Sequence, residues 1–203
     1  MKRVAAVPDR TLENFFKTLA TLLIGVALGL FATYMAVERG YGFGAVTAGA
    51  WTAWPKSGSN EADPYARAVV ARTGEIPLGL AEGLMFVARA DDDGAPFDPK
   101  CDYTIRGPMP PTRYWTITLM DPHGLLIENE IQRYGFTSAE IVRERNVPMD
   151  VIVSASARPG NWLPIGQQAP FIMVLRLYDT IVRSSASAIE ARALPAVTRG
   201  RCA

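Results

Sequence analysis

Residues 101–124 read CDYTIRGPMPPTRYWTITLMDPHG and decide the fold class of the chain. Two runs of β-branched and aromatic residues, CDYTIRG (101–107) and RYWTITLM (113–120), are separated by a proline-rich segment, and the second run ends at the turn sequence Asp121-Pro122-His123-Gly124. A similar run, LMFVARA at 84–90, precedes Asp92-Asp93-Gly94. Asp-Gly and Asp-Pro pairs favour tight turns, because aspartate bonds nearby backbone and glycine adopts left-handed conformations. The pattern therefore predicts β-strands joined by hairpin turns.

Further strands are predicted after this region. The runs are LLIENEI (125–131), DVIVSAS (150–156) and FIMVLRLY (171–178), with a short helix expected at 138–145. Short strands at a spacing of about ten residues favour a sandwich or barrel over a parallel α/β sheet. Ahead of the strands, a helix is predicted to begin at Pro64, because Asp63 can accept from exposed backbone amides. Gly74 is the expected stop.

The N-terminal region contains an uncharged run from Thr18 to Val37, TLATLLIGVALGLFATYMAV. At the helical rise of about 1.5 Å per residue this run spans about 30 Å of hydrocarbon. A cleaved signal peptide is disfavoured, because Glu38 and Arg39 follow the run and the nearest Ala-x-Ala-like tripeptide lies further on, at 48–50. A buried helix of a soluble protein fits this length poorly. We therefore predict a single transmembrane helix.

The flanking charges predict the orientation of this helix. Basic residues precede it at positions 2, 3, 10 and 17, whereas only Arg39 follows before Lys56. The positive-inside rule then places the N-terminus in the cytoplasm and the C-terminal domain in the periplasm, with the helix in a bacterial inner membrane. The predicted organisation is a cytoplasmic segment 1–17, a transmembrane helix 18–37, a juxtamembrane linker 38–62 and an extracytoplasmic β-sandwich domain 63–203.

Two features of the anchor region leave alternatives open. Gly25 and Gly29 form a small-xxx-small pair on one helix face, which could support homo-oligomer formation or reflect the general abundance of glycine in membrane helices. In the linker, Trp51 and Trp54 could sit at the headgroup level of the bilayer or dock onto the domain.

Composition and cysteine content exclude some classes of function. The chain has 203 residues, of which 21 are basic and 20 acidic, and it lacks the basic stripe that nucleic-acid binding needs. Cys101 and Cys202 are the two cysteines, and in an oxidising compartment they are expected to form a disulfide. One histidine and no CxxC argue against a metal site, and no cofactor is predicted.

An ordered set of motifs resembles the family called domain of unknown function 1214, in the form carried by small alphaproteobacterial envelope proteins. The motifs are AWTAWP (50–55), DPYARA (63–68), PLGLAEG (77–83), CDYTIRGP (101–108), RYWTITLMDPHG (113–124), RYGFTSAEI (133–141), RPGNWLP (158–164) and VLRLYDT (174–180). The resemblance implies a β-sandwich of jelly-roll type, found in relatives also beside a second domain. It implies no activity.

Catalytic signals are weak. His123 lies in a predicted exposed turn, and the sequence has no Gly-x-Ser-x-Gly elbow and no phosphate-binding glycine loop. Glu128 and Glu130 would share one side of a strand, with Asp121 at the end of the preceding one, so these three carboxylates are candidates for glycoside hydrolysis. The alternative is a solvated strand edge. Asp91, Asp92 and Asp93 are interpreted as a polar turn and not as a calcium loop.

Arginine and aromatic residues recur near the predicted strand ends. Aromatic stacking combined with forked hydrogen bonds is typical of sites that hold sugars or anionic headgroups. Simple packing is the alternative, with Arg176 in a buried ion pair with Asp179 or a glutamate and with Trp115 and Trp162 in the core. The candidate ligand-binding residues are Arg113, Trp115, Arg133, Tyr134, Asn161, Trp162, Arg176 and Tyr178.

The sequence thus favours a non-catalytic envelope module that binds a glycan, a lipid headgroup or a protein partner beside the bilayer. A hydrolase that acts on envelope carbohydrate through paired carboxylates is the enzymatic alternative. A purely structural assembly subunit is the third hypothesis, which a large apolar surface patch without a pocket would favour.

Overall fold

The strands predicted from hairpin signals form two β-sheets in the computed structural model, which describes residues 10–38, 44–73, 77–79, 81–143, 149–166, 170–180 and 194–202. The helices are α1 (Arg10–Glu38) and α2 (Pro64–Thr73). The strands are β1 (Val46–Ala48), β2 (Trp51–Ala53), β3 (Gly83–Ala88), β4 (Cys101–Gly107), β5 (Thr112–Met120), β6 (Gly135–Thr137), β7 (Met149–Ser154), β8 (Trp162–Pro164), β9 (Ile172–Thr180) and β10 (Ala196–Cys202).

The chain divides into two units, residues 1–41 and 42–203. The first unit contains α1, whose residues Arg10–Val37 are long and apolar enough to span a membrane, with a mean hydropathy of 2.0 in the apolar window. The helix begins eight residues before Thr18, and Lys17 and Glu13 form an ion pair of 2.6 Å in this added part. No atom lies within 4 Å of a Cβ built at Gly25 or Gly29, and association through this face stays a prediction.

The second unit is a sandwich-like arrangement of two sheets. The larger sheet has the order β1-β2-β3-β9-β5-β6, and the smaller sheet has the order β10-β4-β7-β8. Neighbouring strands are antiparallel apart from β7 and β8, which pair in parallel. The prediction of a mainly β fold is confirmed.

The core lies on the inner faces of both sheets, where period-two alternation directs apolar side chains. On β9, Met173, Leu175 and Leu177 are fully buried in the main core cluster. The intervening Val174 belongs to a smaller cluster, and Arg176 on the same face is half-buried. The alternation therefore explains why a strand with an almost unbroken apolar run still carries an arginine.

Two predicted elements differ in the structure. LLIENEI is not a strand: only Leu126 bridges to Met120, and a loop follows. The predicted helix at 138–145 is also wrong for the residues described, because 138–140 form a turn and 141–143 are irregular, while 144–145 lie outside the described residues. Strands β1, β2, β6, β8 and β10 were not predicted, because at three residues most of them are too short for a clear pattern.

The segment expected to be a linker, 38–62, contributes strands β1 and β2 to the larger sheet. Trp51 is 1% exposed, and its indole nitrogen donates to the Pro195 carbonyl oxygen at 2.7 Å. Of the two alternatives for this residue, docking on the domain is the one observed. Trp54 is half-buried and packs against the outer cluster with Val174.

The helix cap and the disulfide agree with the sequence predictions. One carboxylate oxygen of Asp63 accepts from the amides of Tyr65 at 2.9 Å and Ala66 at 3.0 Å, which satisfies exposed donors at the start of α2. Gly74, the predicted stop, lies outside the described residues. Cys101 and Cys202 form a disulfide that joins the paired strands β4 and β10.

Candidate functional site

A groove of about 530 Å³ lies between the loop that follows Leu126 and the strand β8 region. It combines exposed carboxylates with an aromatic side chain and small or apolar residues, a composition suited to a small polar ligand. The lining residues are Glu128, Asn129, Glu130, Ile131, Ala155, Trp162, Pro164 and Gly166.

The loop wall of the groove is organised by Asn129. Its amide nitrogen donates to the carbonyl oxygens of Arg133 at 2.9 Å and Ile127 at 3.3 Å, and its amide oxygen accepts from the Arg133 amide at 3.0 Å. Because these bonds occupy the Asn129 side chain, it shapes the loop and does not face a ligand with free groups. The loop leaves Glu128 and Glu130 exposed on either side of it.

The opposite wall is held by Trp162 at the start of β8. The indole nitrogen donates to the Ser154 carbonyl oxygen at 3.0 Å, so the polar edge is satisfied within the fold while the ring stays half-buried at the groove. An indole ring with its donor satisfied offers an apolar face for stacking.

Gly166 brings the two walls together. Its φ is +73°, and a Cβ atom at this position would lie 2.4 Å from the Glu128 carbonyl oxygen. Only glycine fits this conformation and this close approach without rearrangement. Arg133 adds a second link, since its Nη1 donates to the Trp162 carbonyl oxygen at 3.1 Å and its guanidinium stacks over Phe136 at 5.2 Å.

The predicted carboxylate trio is only partly assembled. Glu128 and Glu130 line the groove together, although they do so from a loop and not from a strand face. Asp121 does not line it. One of its carboxylate oxygens accepts from the amides of His123 at 2.8 Å and Leu125 at 2.9 Å, so this side chain closes the turn.

The predicted ligand-binding cluster is dispersed over the domain. Trp115 is a core residue at 3% exposure, and Asn161 is buried with hydrogen bonds to Val142 and Asp150. Tyr134 is half-buried, and its carbonyl oxygen accepts from the Leu119 amide. Of the eight residues, only Trp162 lines the groove.

The remaining members of the cluster lie elsewhere. Arg176 and Tyr178 alternate with the core residues of β9 and therefore occupy the outer face of the larger sheet, where the Tyr178 and Tyr114 rings are 5.9 Å apart. Arg113 lines a separate cavity beside Trp115. Sequence reasoning missed Asn129, Ile131, Ala155, Pro164 and Gly166 as groove residues. The sequence marks one of these residues, Pro164, through the motif RPGNWLP (158–164).

Comparison with known proteins places this site within a family. Residues 82–181 match the sequence profile described as "Protein of unknown function (DUF1214)". This segment belongs to the DUF1214 family. The DUF1214 segment extends from the start of β3 to the end of β9 and thus contains every residue that lines the groove. No significant match to a curated protein was found.

Two solved structures are similar to the chain. The VPA0106 protein from Vibrio parahaemolyticus aligns with 98% of this chain and 47% of its own, with 16% identity and a TM-score of 0.57. A putative uncharacterized protein from Burkholderia cenocepacia aligns with 72% of this chain and 45% of its own, with 15% identity and a TM-score of 0.40. This chain therefore spans about half the length of each. The likeness to the Vibrio protein supports the fold around the DUF1214 segment.

Proposed function

We propose that the protein is a membrane-anchored module whose domain binds a neutral or amino-bearing glycan in the groove at Trp162. The observation that carries this proposal is the presence of an indole face opposite two exposed carboxylates, Glu128 and Glu130, in one open groove. A sugar ring stacks its apolar face on an aromatic ring, while carboxylates accept hydrogen bonds from hydroxyl or ammonium groups.

The charge of the lining separates this ligand class from anionic ones. Among the residues that the structure describes, the groove lining includes two acidic side chains and no basic one. Like charges repel at close range, so a phosphate or carboxylate ligand would bind here only against the field of both glutamates. This argument favours a glycan over the anionic lipid headgroup as the occupant of the groove.

The proposed location follows from α1 and its flanking charges. The helix supplies the membrane anchor, and Lys2, Arg3, Arg10 and Lys17 favour a cytoplasmic N-terminus, with the domain in the periplasm of a bacterial envelope. A reporter enzyme active only in the periplasm, fused after Ala203, should be active. Activity of a cytoplasm-specific reporter at the same position would contradict this orientation.

Glycan binding is tested with the full chain in octaethylene glycol dodecyl ether, because a sugar-based detergent would compete for the groove. Oligomers of N-acetylglucosamine, glucosamine and glucose serve as probes, and binding is followed by isothermal titration calorimetry. We expect Trp162→Ala to weaken binding about tenfold, which corresponds to about 1.4 kcal/mol, and Trp162→Phe to retain most of the affinity.

The controls separate loss of stacking from loss of folding. Tyr114→Ala removes another exposed aromatic side chain, outside the groove, and should leave the affinity unchanged. The double variant Glu128→Gln/Glu130→Gln should weaken the glucosamine oligomer more than the glucose oligomer, because only the former carries positive charge. Absence of binding to all three oligomers, or equal affinity of wild type and Trp162→Ala, would contradict the proposal.

Hydrolysis is the second candidate, because Glu128 and Glu130 line the same groove. Acid–base cleavage of a glycosidic bond needs two carboxylates about 5 to 9.5 Å apart across the scissile bond. An enzyme would release new reducing ends from the bound oligomer, and Glu128→Gln or Glu130→Gln would abolish this release while binding persists. Binding without product over days would reject the hydrolase.

Association through α1 is a further part of the proposal. Gly25 and Gly29 would let two helices approach closely, so that the chain presents paired domains. Crosslinking within the membrane should give less dimer for Gly25→Leu and Gly29→Leu than for wild type. An unchanged dimer yield would remove this part and leave glycan binding unaffected.

A further inference from the structure

A second cavity, of about 460 Å³, lies at the start of β5 and shares no lining residue with the groove. Its chemistry is opposite to that of the groove, because the described residues that line it include two arginines and two hydroxyl-bearing residues and no acidic side chain. The lining residues are Met109, Pro110, Pro111, Thr112, Arg113, Trp115, Ser138 and Arg143.

Arg113 is directed into this cavity by strand alternation. Residues 113, 115 and 117 of β5 share one face, and Trp115 and Ile117 on that face are in the core. Arg113 precedes Trp115 by two residues on the same face of β5, and its side chain is exposed. Its guanidinium is therefore aimed over the Trp115 end of the core and not away from the sheet.

Arg143 reaches the cavity from the segment after β6, whose backbone is held from both sides. Ile141 is buried in the core, and the next residue, Val142, has its amide and carbonyl bonded to the side chain of Asn161, each at 2.8 Å. Asn161 is thus a positioning residue for the neighbouring Arg143.

The two guanidinium groups keep most of their donors available. Arg143 makes one long hydrogen bond, from Nη2 to the Ser138 carbonyl oxygen at 3.4 Å. Within the described part of the chain, neither arginine forms an ion pair with a carboxylate. The carboxylate of the nearby Glu140 accepts a hydrogen bond from the Thr137 hydroxyl at 2.9 Å.

We propose that this cavity binds a phosphate monoester. Guanidinium forks match phosphate oxygens in geometry, and two fixed positive charges match a group that carries close to two negative charges at neutral pH. The Ser138 hydroxyl, whose oxygen accepts from the Trp115 amide at 3.4 Å, keeps its proton for a phosphate oxygen, whereas the Thr112 hydroxyl donates to the Tyr178 carbonyl oxygen at 2.6 Å. Trp115 and the prolines provide an apolar wall for the rest of the ester. The phosphate belongs either to a soluble metabolite or to a lipid headgroup.

The test uses the full chain in octaethylene glycol dodecyl ether with sn-glycerol 3-phosphate as the probe. Titration calorimetry and broadening of the probe's phosphorus resonance both report binding. We expect Arg113→Met and Arg143→Met each to weaken binding at least tenfold, and the double variant to abolish it. Arg67→Met on α2, where the side chain bonds the Asn60 carbonyl oxygen, is the matched control and should bind as wild type.

A second arm distinguishes the two sources of phosphate. The chain is reconstituted in phosphatidylcholine bilayers with or without phosphatidic acid, and the glycerol phosphate titration is repeated. Competition by phosphatidic acid assigns the site to lipid, whereas equal affinity in both bilayers assigns it to a soluble ester. No binding of the probe to wild type in detergent or bilayers, or equal affinity of wild type and the double arginine variant, overturns the proposal.

Discussion

The turns at 91–94 and 121–124 are closed by the same local chemistry. In each, an aspartate carboxylate oxygen accepts from the amide four residues later, Ala95 at 2.8 Å and Leu125 at 2.9 Å. The fourth position is a glycine with positive φ, 81° at Gly94 and 86° at Gly124. Isolated bridges flank both turns, Ala90 with Pro96 and Met120 with Leu126. Locally, the two segments are near copies.

The two turns differ in what their aspartates reach beyond the turn. Asp91 is 3% exposed, and its second oxygen pairs with Arg199 Nε at 2.9 Å. The neighbouring Asp92 accepts from the amides of Ala50 at 2.7 Å and Val197 at 2.8 Å. The first turn therefore ties the β1–β2 hairpin and the C-terminal strand β10 into the domain.

The second turn stays local and exposed. The Asp121 carboxylate bonds only the amides of its own turn among the described residues, and His123 at the tip is exposed. Leu125 and Leu126 are 65% and 50% exposed, and the chain then enters the loop that forms the groove. The comparison shows that the same turn, closed by an aspartate and a glycine, can either bond distant strands of the domain or lead into an exposed surface loop.

The largest expected effect is the difference in stability between variants of Asp91 and Asp121. Asp91→Ala leaves Arg199 without its buried carboxylate and should lower the free energy of unfolding by about 3 kcal/mol. Asp121→Ala should cost only about 1 kcal/mol, because water replaces the lost acceptor. Urea denaturation followed by tryptophan fluorescence measures both, since Trp51, Trp54, Trp115 and Trp162 are the four tryptophans and all belong to residues 42–203.

Asp91→Asn is the matched control for this comparison. It keeps an oxygen for the Ala95 amide but loses the charge that faces Arg199, so its cost should lie between those of the two alanine variants. Equal losses for Asp91→Ala and Asp121→Ala would break the distinction between an anchoring turn and a local one.

The next effect concerns Asp92, which joins three chain segments. Asp92→Ala removes two charge-assisted hydrogen bonds to backbone amides and should cost about 2 kcal/mol. Because those amides belong to β10 and to the β1–β2 turn, hydrogen exchange should accelerate at Ala50 and Val197. Exchange should stay unchanged in the 121–124 turn. Uniform acceleration across the domain would instead indicate that Asp92 acts only through global stability.

Replacing the glycine of either turn by alanine should lower the stability of the domain by the same, smaller amount. Gly94→Ala and Gly124→Ala place a side chain in the left-handed region, which costs about 1 kcal/mol each. No atom lies within 4 Å of a Cβ built at Gly94, so the conformational cost acts without a clash. Matching changes in denaturation midpoint would support a shared turn conformation. A much larger loss at one site would show that the turns differ in local strain.

The smallest effect is expected at His123. The side chain is exposed at the tip of the second turn, so His123→Ala should change stability by less than about 0.5 kcal/mol. Glycan and phosphate binding should also be unchanged, because His123 lines neither cavity. Loss of either binding activity would give this turn a functional role that its local geometry does not suggest.

Sequence reasoning located the strands with long, distinctive patterns. The predicted run at 101–107 has the observed bounds of β4, and the runs predicted for β5, β7 and β9 agree with the strands within a few residues, because each carries β-branched or aromatic side chains. Residues 125–131 carry a similar pattern but form a loop, since the Asn129 side chain competes with the ladder for backbone partners. The three-residue strands depend on pairing with distant neighbours and left little local pattern.

The candidate site was predictable only in its parts. The sequence marks Glu128 and Glu130 as candidate catalytic carboxylates and Trp162 as a candidate ligand-binding residue, which are two different hypotheses. Their meeting depends on the parallel pairing of β7 with β8, which positions 162–166, and on Gly166, whose missing side chain admits the Glu128 backbone. A short stretch of sequence predicts neither the register of two paired parallel strands nor the close approach of two backbone segments.

By itself, the sequence determined the features that follow from local chemistry. These are an apolar run long enough to span a bilayer, turns closed by aspartate and glycine, a capped helix at Asp63 and two cysteines able to pair. Tertiary structure alone decided that Asp91 is an anchor and Asp121 is not, and that an acidic groove and a basic cavity are separate. The physical reason is the sequence separation of the interacting residues. Hydrogen bonds within a turn join residues that are close in sequence, whereas the burial and charge pairing of a side chain depend on which distant strand packs beside it.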